Sequence, residues 1–169
     1  MMCIKELYLK VTDKLDLGSD ASMLFLRLMV AYTFYAPALS KLNDVGAIAG
    51  WFEGLGIPFP LLNAYMATGT EVLGVILLTL GLFTRFISIA LIGVLSVAIL
   101  TVHGVNGFHL LDESIRFSDA YVNGEMIKAS LIGFNDGYEL VLYYMLMLFA
   151  LVTKGAGRLS LDFLLFKKA

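Results

Sequence analysis

Cysteine occurs once in 169 residues, at Cys3, which excludes an internal disulfide and any cysteine-rich zinc or iron–sulfur site. No apolar signal region precedes it, so a lipid anchor is not expected there. Charge is scarce as well: charged side chains make up 15% of the chain, its net charge is −2, and no run of lysine or arginine interleaves with aromatics. A surface that tracks the phosphates of a nucleic acid is therefore not expected. No ordered Ser-His-Asp set, glycine-rich phosphate loop, Cys-His pair or zinc-binding spacing is present, which leaves hydrolase and nucleotide-binding readings without support. There is no internal repeat and no low-complexity segment, and residues 1–169 read as a single domain.

What the chain has in excess is apolar surface. Hydrophobic residues are 59% of the sequence, above the roughly 45–50% of an ordinary soluble domain. A bilayer core about 30 Å thick needs roughly 20 predominantly apolar residues per helix. Four segments fit that description, at residues 21–42, 61–82, 85–105 and 136–153, the last of them short. The expected fold is all-α, an integral membrane four-helix bundle. Ser19 or Asp20 is placed to cap the first helix, and Pro37 predicts a kink near its far end. Gly81, Thr84 and Arg85 predict a tight turn that forces spans two and three antiparallel. Thr70, Gly74, Gly81, Ser88, Gly93 and Ser96 are small enough for helix backbones to approach closely in lipid.

Lysine and arginine set the expected orientation. Lys5, Lys10, Lys14, Arg85, Lys154, Arg158, Lys167 and Lys168 fall on one side, against Lys41, Arg116 and Lys128 on the other. The positive-inside rule places both termini in the cytoplasm. Residues 4–15 set Ile4, Leu7, Tyr8, Val11 and Leu15 on one helical face opposite lysines, the pattern of an N-terminal amphipathic helix lying in the interface. The stretch VGAIAGWFEGLGIPFP, with Trp51 and Phe52, reads as a short interfacial turn. A long outer loop, residues 104–136, separates spans three and four, and Asn123-Gly124 between two alternating segments predicts a small β-hairpin within it.

Against this apolar background three charges stand out. Glu71 lies near mid-span, where a lone charge costs about 2.5–3.5 kcal/mol, so it needs a partner, a proton or water. Arg27, in LFLRLMVAY, and Lys41, in ALSKL, are its candidate partners. If residues 21 and 82 share a boundary, Arg27 is offset from Glu71 by about 7 Å and Lys41 by about 13 Å, which favours Arg27. Arg27, Glu71 and Lys41 thus form the expected intramembrane polar centre. It serves either to set helix register or to line a polar pocket or proton path. Tyr32 and Tyr35 are candidates for the wall of a pocket sized for a quinone or lipid headgroup, and His103 and His109 for a proton relay. The two histidines match no metal motif, and no metal site is expected. In the tail, Arg158 and Asp162 have the spacing of a local helical ion pair.

Several of these residues together resemble the DoxX family of small four-helix membrane proteins. The resemblance rests on Arg27, the Lys41-Leu42 end of the first span, the Gly56/Pro58 loop, Glu71 within EVLGVILLTLGLFTR, and GAGRLSLD at residues 155–162, where Ala156 stands in place of the family's usual proline. It implies a protein of the bacterial or archaeal inner membrane. Family members include subunits associated with thiosulfate:quinone oxidoreduction, partners in oxidative-stress complexes, and proteins accompanying maturation of copper-binding ribosomal peptides, the group that NDGYELVLYYMLMLF most resembles. The expectation is a non-catalytic accessory subunit in contact with lipid and with a redox or peptide-modifying enzyme, or with further copies of itself. If the chain is an enzyme, it is a quinone-linked oxidoreductase component. The rival expectation is a small proton- or ion-coupled transporter or channel.

Overall fold

A computed structural model of the chain describes residues 8, 9, 12, 18–109, 116–122, 125–131 and 137–167, the two strands by their backbone alone. The helices are α1 (Ser19–Asn43), α2 (Val45–Gly54), α3 (Pro60–Leu80), α4 (Thr84–Ala98), α5 (Glu139–Lys154) and α6 (Leu161–Phe166). A π-helical turn, Ile99–His103, and a 3₁₀ turn, Gly104–Asn106, continue α4. Two compact units contain these elements, one formed by residues 1–94 with 145–169 and the other by residues 95–144.

Among the described residues, three helical stretches are long and apolar enough to cross a membrane: Ser19–Asn43, Pro60–Leu80 and Thr84–Asn106. They coincide with the first three expected spans. The fourth expected span corresponds to α5, whose 16 residues measure about 24 Å, short of the roughly 30 Å hydrocarbon core. In a soluble protein the exposure of Phe25 (70%), Phe86 (74%) and Leu100 (81%) would be an aggregation hazard. On apolar helices of this length it is the surface that meets lipid. Apart from a two-stranded hairpin, the fold is an all-α, multi-span membrane bundle.

In the first unit, narrow stripes face inward: Arg27, Val30, Ala31, Phe34 and Ala38 on α1, and Ala64, Thr68, Glu71, Gly74 and Leu78 on α3. Each recurs every three or four residues, so one face of each helix is inside and the rest faces lipid. Gly74 explains how closely α3 and α4 approach, because a Cβ there would lie 2.9 Å from Leu91 Cδ1. The connection between them is the expected short turn, Gly81 to Phe83. Gly81 takes the left-handed conformation (φ +67°) as the α3 cap, and Leu82 N–H closes back on Leu77 O at 2.9 Å.

Two local expectations change. The first helix is capped by Gly18, not by Ser19 or Asp20, which are its opening residues. The stretch expected as an interfacial turn forms α2, because Asp44 Oδ1 accepts from Ala47 N–H at 2.8 Å and starts a helix. No residue of α2 is buried. Of the amphipathic helix expected at residues 4–15, only Tyr8, Leu9 and Thr12 lie among the described residues, and all three are helical.

The second unit contains the expected hairpin. Strands β1 (Arg116–Val122) and β2 (Glu125–Leu131) pair antiparallel, from Arg116↔Leu131 to Val122↔Glu125. That register leaves a two-residue connection, as Asn-Gly demands, although residues 123–124 lie outside the described set. Elsewhere in this unit, the carbonyls of Gly107 and Phe108 accept from Tyr138 N–H (3.1 Å) and Glu139 N–H (2.9 Å), tying that segment to the start of α5.

Candidate functional site

The inward stripes of α1 and α3 bring a cation and an anion together. Lys41, in the last turn of α1, continues the sequence of inward positions Phe34 and Ala38; Glu71 occupies the centre of the α3 stripe. Lys41 Nζ donates to Glu71 Oε1 in a direct ion pair, and the side chains are 22% and 3% exposed. A lysine supplies a single point contact to a carboxylate, where an arginine would present two parallel donors. The second oxygen is left over. Glu71 Oε2, and Thr68 Oγ1 one turn earlier on the same stripe, are both sealed from the surface and have no hydrogen-bond partner among the described residues.

The pairing expected between Arg27 and Glu71 does not form. Arg27, 1% exposed, points toward the end of the bundle where α3 closes, and its Nη2 donates to Leu159 O at 2.6 Å. Its Nη1 lies 1.5 Å from where a Cβ on Gly81 would be, so only glycine leaves room for the guanidinium. Gly81 is ten positions beyond Glu71, about 15 Å along the helix, too far for one side chain to serve both. Placing residues 21 and 82 at a common level misjudges the register. The antiparallel packing sets Arg27 beside Gly81 and Lys41 beside Glu71.

Around Arg27 the tail segment makes a joint built from side chains bonded to backbone. Asp162 Oδ1 accepts from Phe83 N–H (2.7 Å) and Oδ2 from Thr84 N–H (3.0 Å), so the carboxylate caps α4 from a distant part of the chain. Asp162 N–H donates in turn to Gly81 O at 2.9 Å. Ser160 Oγ caps α6 by accepting from Phe163 N–H at 3.2 Å, and Asp20 Oδ1 accepts from Arg158 N–H at 2.9 Å. The local pair expected between Arg158 and Asp162 is therefore replaced. Residues 158–160 are not helical, so the two side chains do not share a face; Arg158 Nε lies 3.9 Å from Asp20 Oδ2 instead.

The remaining candidates are two tyrosines on α1 and two histidines of the second unit. Tyr32 (76% exposed) and Tyr35 (54%) project from the outer face of α1, so they do not wall a pocket with Glu71. His103 is half-buried at the end of the π-helical turn, and His109 is exposed with its ring edge-on to Phe108 at 5.2 Å. Among the described residues no three His, Cys, Asp or Glu side chains gather as a metal site would require. Thr68, Thr84 and the capping role of Asp162 are absent from the sequence-based candidates. Spacing alone was a usable signal for Thr68, which precedes Glu71 by three positions on a helix. For Asp162 no local signal existed, since its partners are nearly eighty positions away.

Comparison with known proteins places this arrangement. Residues 22–104 match the DoxX family, a segment that contains Arg27, Lys41, Glu71 and Gly81. An uncharacterized protein of Haemophilus influenzae is 32% identical over 155 residues, covering 89% of this chain and 87% of its own. No solved structure matches. With a cation–anion pair between its first two spans and a relative aligned along most of both chains, this multi-span inner-membrane protein belongs to the DoxX family.

Proposed function

We propose that the chain is an accessory membrane subunit of a redox or peptide-modification system, in which the Lys41–Glu71 pair borders the site of a quinone or a lipid headgroup. The observation that carries this reading is the surplus at the pair. One ammonium, one free carboxylate oxygen and one hydroxyl converge inside an otherwise apolar bundle. A pair meant only to hold two helices in register has no use for sealed, unsatisfied acceptors, each of which costs about 1–3 kcal/mol. A ligand with a polar head and an apolar body satisfies both the surplus and the lipid-facing surroundings. With one cysteine the chain has no dithiol of its own, so electrons or modifying chemistry come from a partner enzyme.

In this reading α5 is the fourth span, and both termini face the cytoplasm, where eight of the lysines and arginines accumulate. The long connection at residues 104–136 followed by NDGYELVLYYMLMLF favours the family members that accompany maturation of copper-binding ribosomal peptides. The test uses the full chain in nanodiscs equilibrated with a short-chain quinone. Retention should fall about tenfold in Glu71→Gln and Lys41→Gln, the loss of one charge-assisted hydrogen bond. Equal retention by all three proteins rejects the quinone site.

A second reading draws on the same unpartnered Oε2: a carboxylate oxygen held in hydrocarbon is also a proton-binding group, as a small transporter or channel requires. Proton or cation flux in proteoliposomes that disappears in Glu71→Gln would establish that reading and displace the subunit role.

A further inference from the structure

Away from the ion pair, the joint beneath α3 and α4 has more hydrogen-bond donors than its one carboxylate uses. The start of α4 presents the backbone N–H groups of Phe83 and Thr84, both taken by Asp162. The Thr84 hydroxyl beside them is fully buried and has no partner among the described residues. Arg27 is 1% exposed; its Nε and Nη1 likewise have no partner among the described residues, and Nη1 lies over Gly81, whose carbonyl accepts from Asp162 N–H. The two carboxylate oxygens thus cap a helix N-terminus and leave unbonded the guanidinium edge over Gly81 and the hydroxyl of Thr84. A tetrahedral oxyanion has the further oxygens that such a set can bind, and helix N-termini favour anions for the same reasons of dipole and free N–H groups.

We infer that this joint is a phosphate-binding site formed by Arg27, Thr84 and the Phe83–Thr84 backbone, which the chain's own Asp162 occupies in place of a phosphate group. The phosphate is that of an anionic lipid headgroup or of free inorganic phosphate. The surroundings suit either, since Lys154, Arg158 and Lys167 in the same tail are exposed and add positive charge at this end. Asp162 follows Leu159 by three residues and is tethered by its own N–H to Gly81 O, so it competes at the high effective concentration of an intramolecular ligand. The wild-type site is therefore mostly self-filled, and removing the carboxylate opens it to external phosphate. This inference does not depend on the role of Lys41 and Glu71.

The experiment compares the full-length wild-type chain with Asp162→Ala in detergent. One arm measures retention of dioleoyl-phosphatidylglycerol over dioleoyl-phosphatidylcholine by native mass spectrometry; the other measures the shift in Tm on adding inorganic phosphate against chloride at equal ionic strength. Asp162→Ala should gain about tenfold in at least one arm, the scale of a charge-assisted bond to each newly exposed donor set. Adding Arg27→Gln should cancel the gain, and Arg27→Lys should keep part of it. A gain confined to the lipid arm identifies the headgroup; one confined to the salt arm identifies free phosphate. If Asp162→Ala does not fold, Asp162→Asn keeps the shape, removes the charge, and should show the same direction of change. No gain in either arm, or a gain that survives Arg27→Gln, overturns the inference.

Discussion

Two cations of the first unit, Arg27 buried and Lys41 partly buried, meet their surroundings in opposite ways. Lys41 bonds to another side chain, Glu71, across two spans. Arg27 and its neighbour Asp162 bond to backbone: Leu159 O for the first, the N–H groups of Phe83 and Thr84 for the second. A side-chain pair is symmetrical in principle, because either helix can carry either sign. A bond to backbone is not, because a carbonyl only accepts and an N–H only donates. The ion pair is therefore an exchangeable module, whereas the tail joint depends on which residue stands where.

The largest expected effect tests that difference directly. Lys41→Glu or Glu71→Lys alone leaves two like charges buried together and should cost about 3–5 kcal/mol, read as a collapse of Tm in detergent and of membrane yield. The double swap should recover most of the loss. The equivalent swap at the joint, Arg27→Asp with Asp162→Arg, should recover nothing, since each new side chain meets backbone groups of the wrong polarity. Recovery there, or none at Lys41 and Glu71, breaks the comparison.

Next in size is Gly81→Ala, which places a Cβ in the left-handed region and against the Arg27 guanidinium. A loss of about 2–3 kcal/mol is expected from the two effects together. Combining it with Arg27→Ala should cost less than the sum of the two single changes, because the clash disappears; strict additivity of the Tm changes would show that Arg27 does not lie over Gly81. Asp162→Asn retains one acceptor for the start of α4 but loses the charge, and about 1–2 kcal/mol should go with it. Hydrogen exchange at Phe83 and Thr84 should quicken while exchange in α1 stays unchanged. The smallest effect belongs to Asp20→Ala, which removes a partly exposed acceptor from Arg158 N–H and should cost below about 1 kcal/mol.

Much of the spanning architecture was readable from the chain alone. Hydrocarbon demands unbroken helices of a set length, so Ser19–Asn43, Pro60–Leu80 and Thr84–Asn106 stand out by composition, and Asn-Gly between alternating segments announces the hairpin. That Glu71 needs a cationic partner follows equally from the cost of a lone charge in lipid. Which cation serves is a different kind of question. The register of α1 against α3 shows in the packing of the Arg27 guanidinium over Gly81, and an offset of a few residues exchanges Arg27 for Lys41. Likewise the tail could be recognised as a motif but not assigned its role, since Asp162 caps a helix whose first residue is 78 positions away. Local sequence determines which segments form helices and which groups require partners, because those demands are met within a turn or two of the chain. The choice among partners was left to tertiary packing, because a difference of a few ångströms between helices decides which side chains can reach.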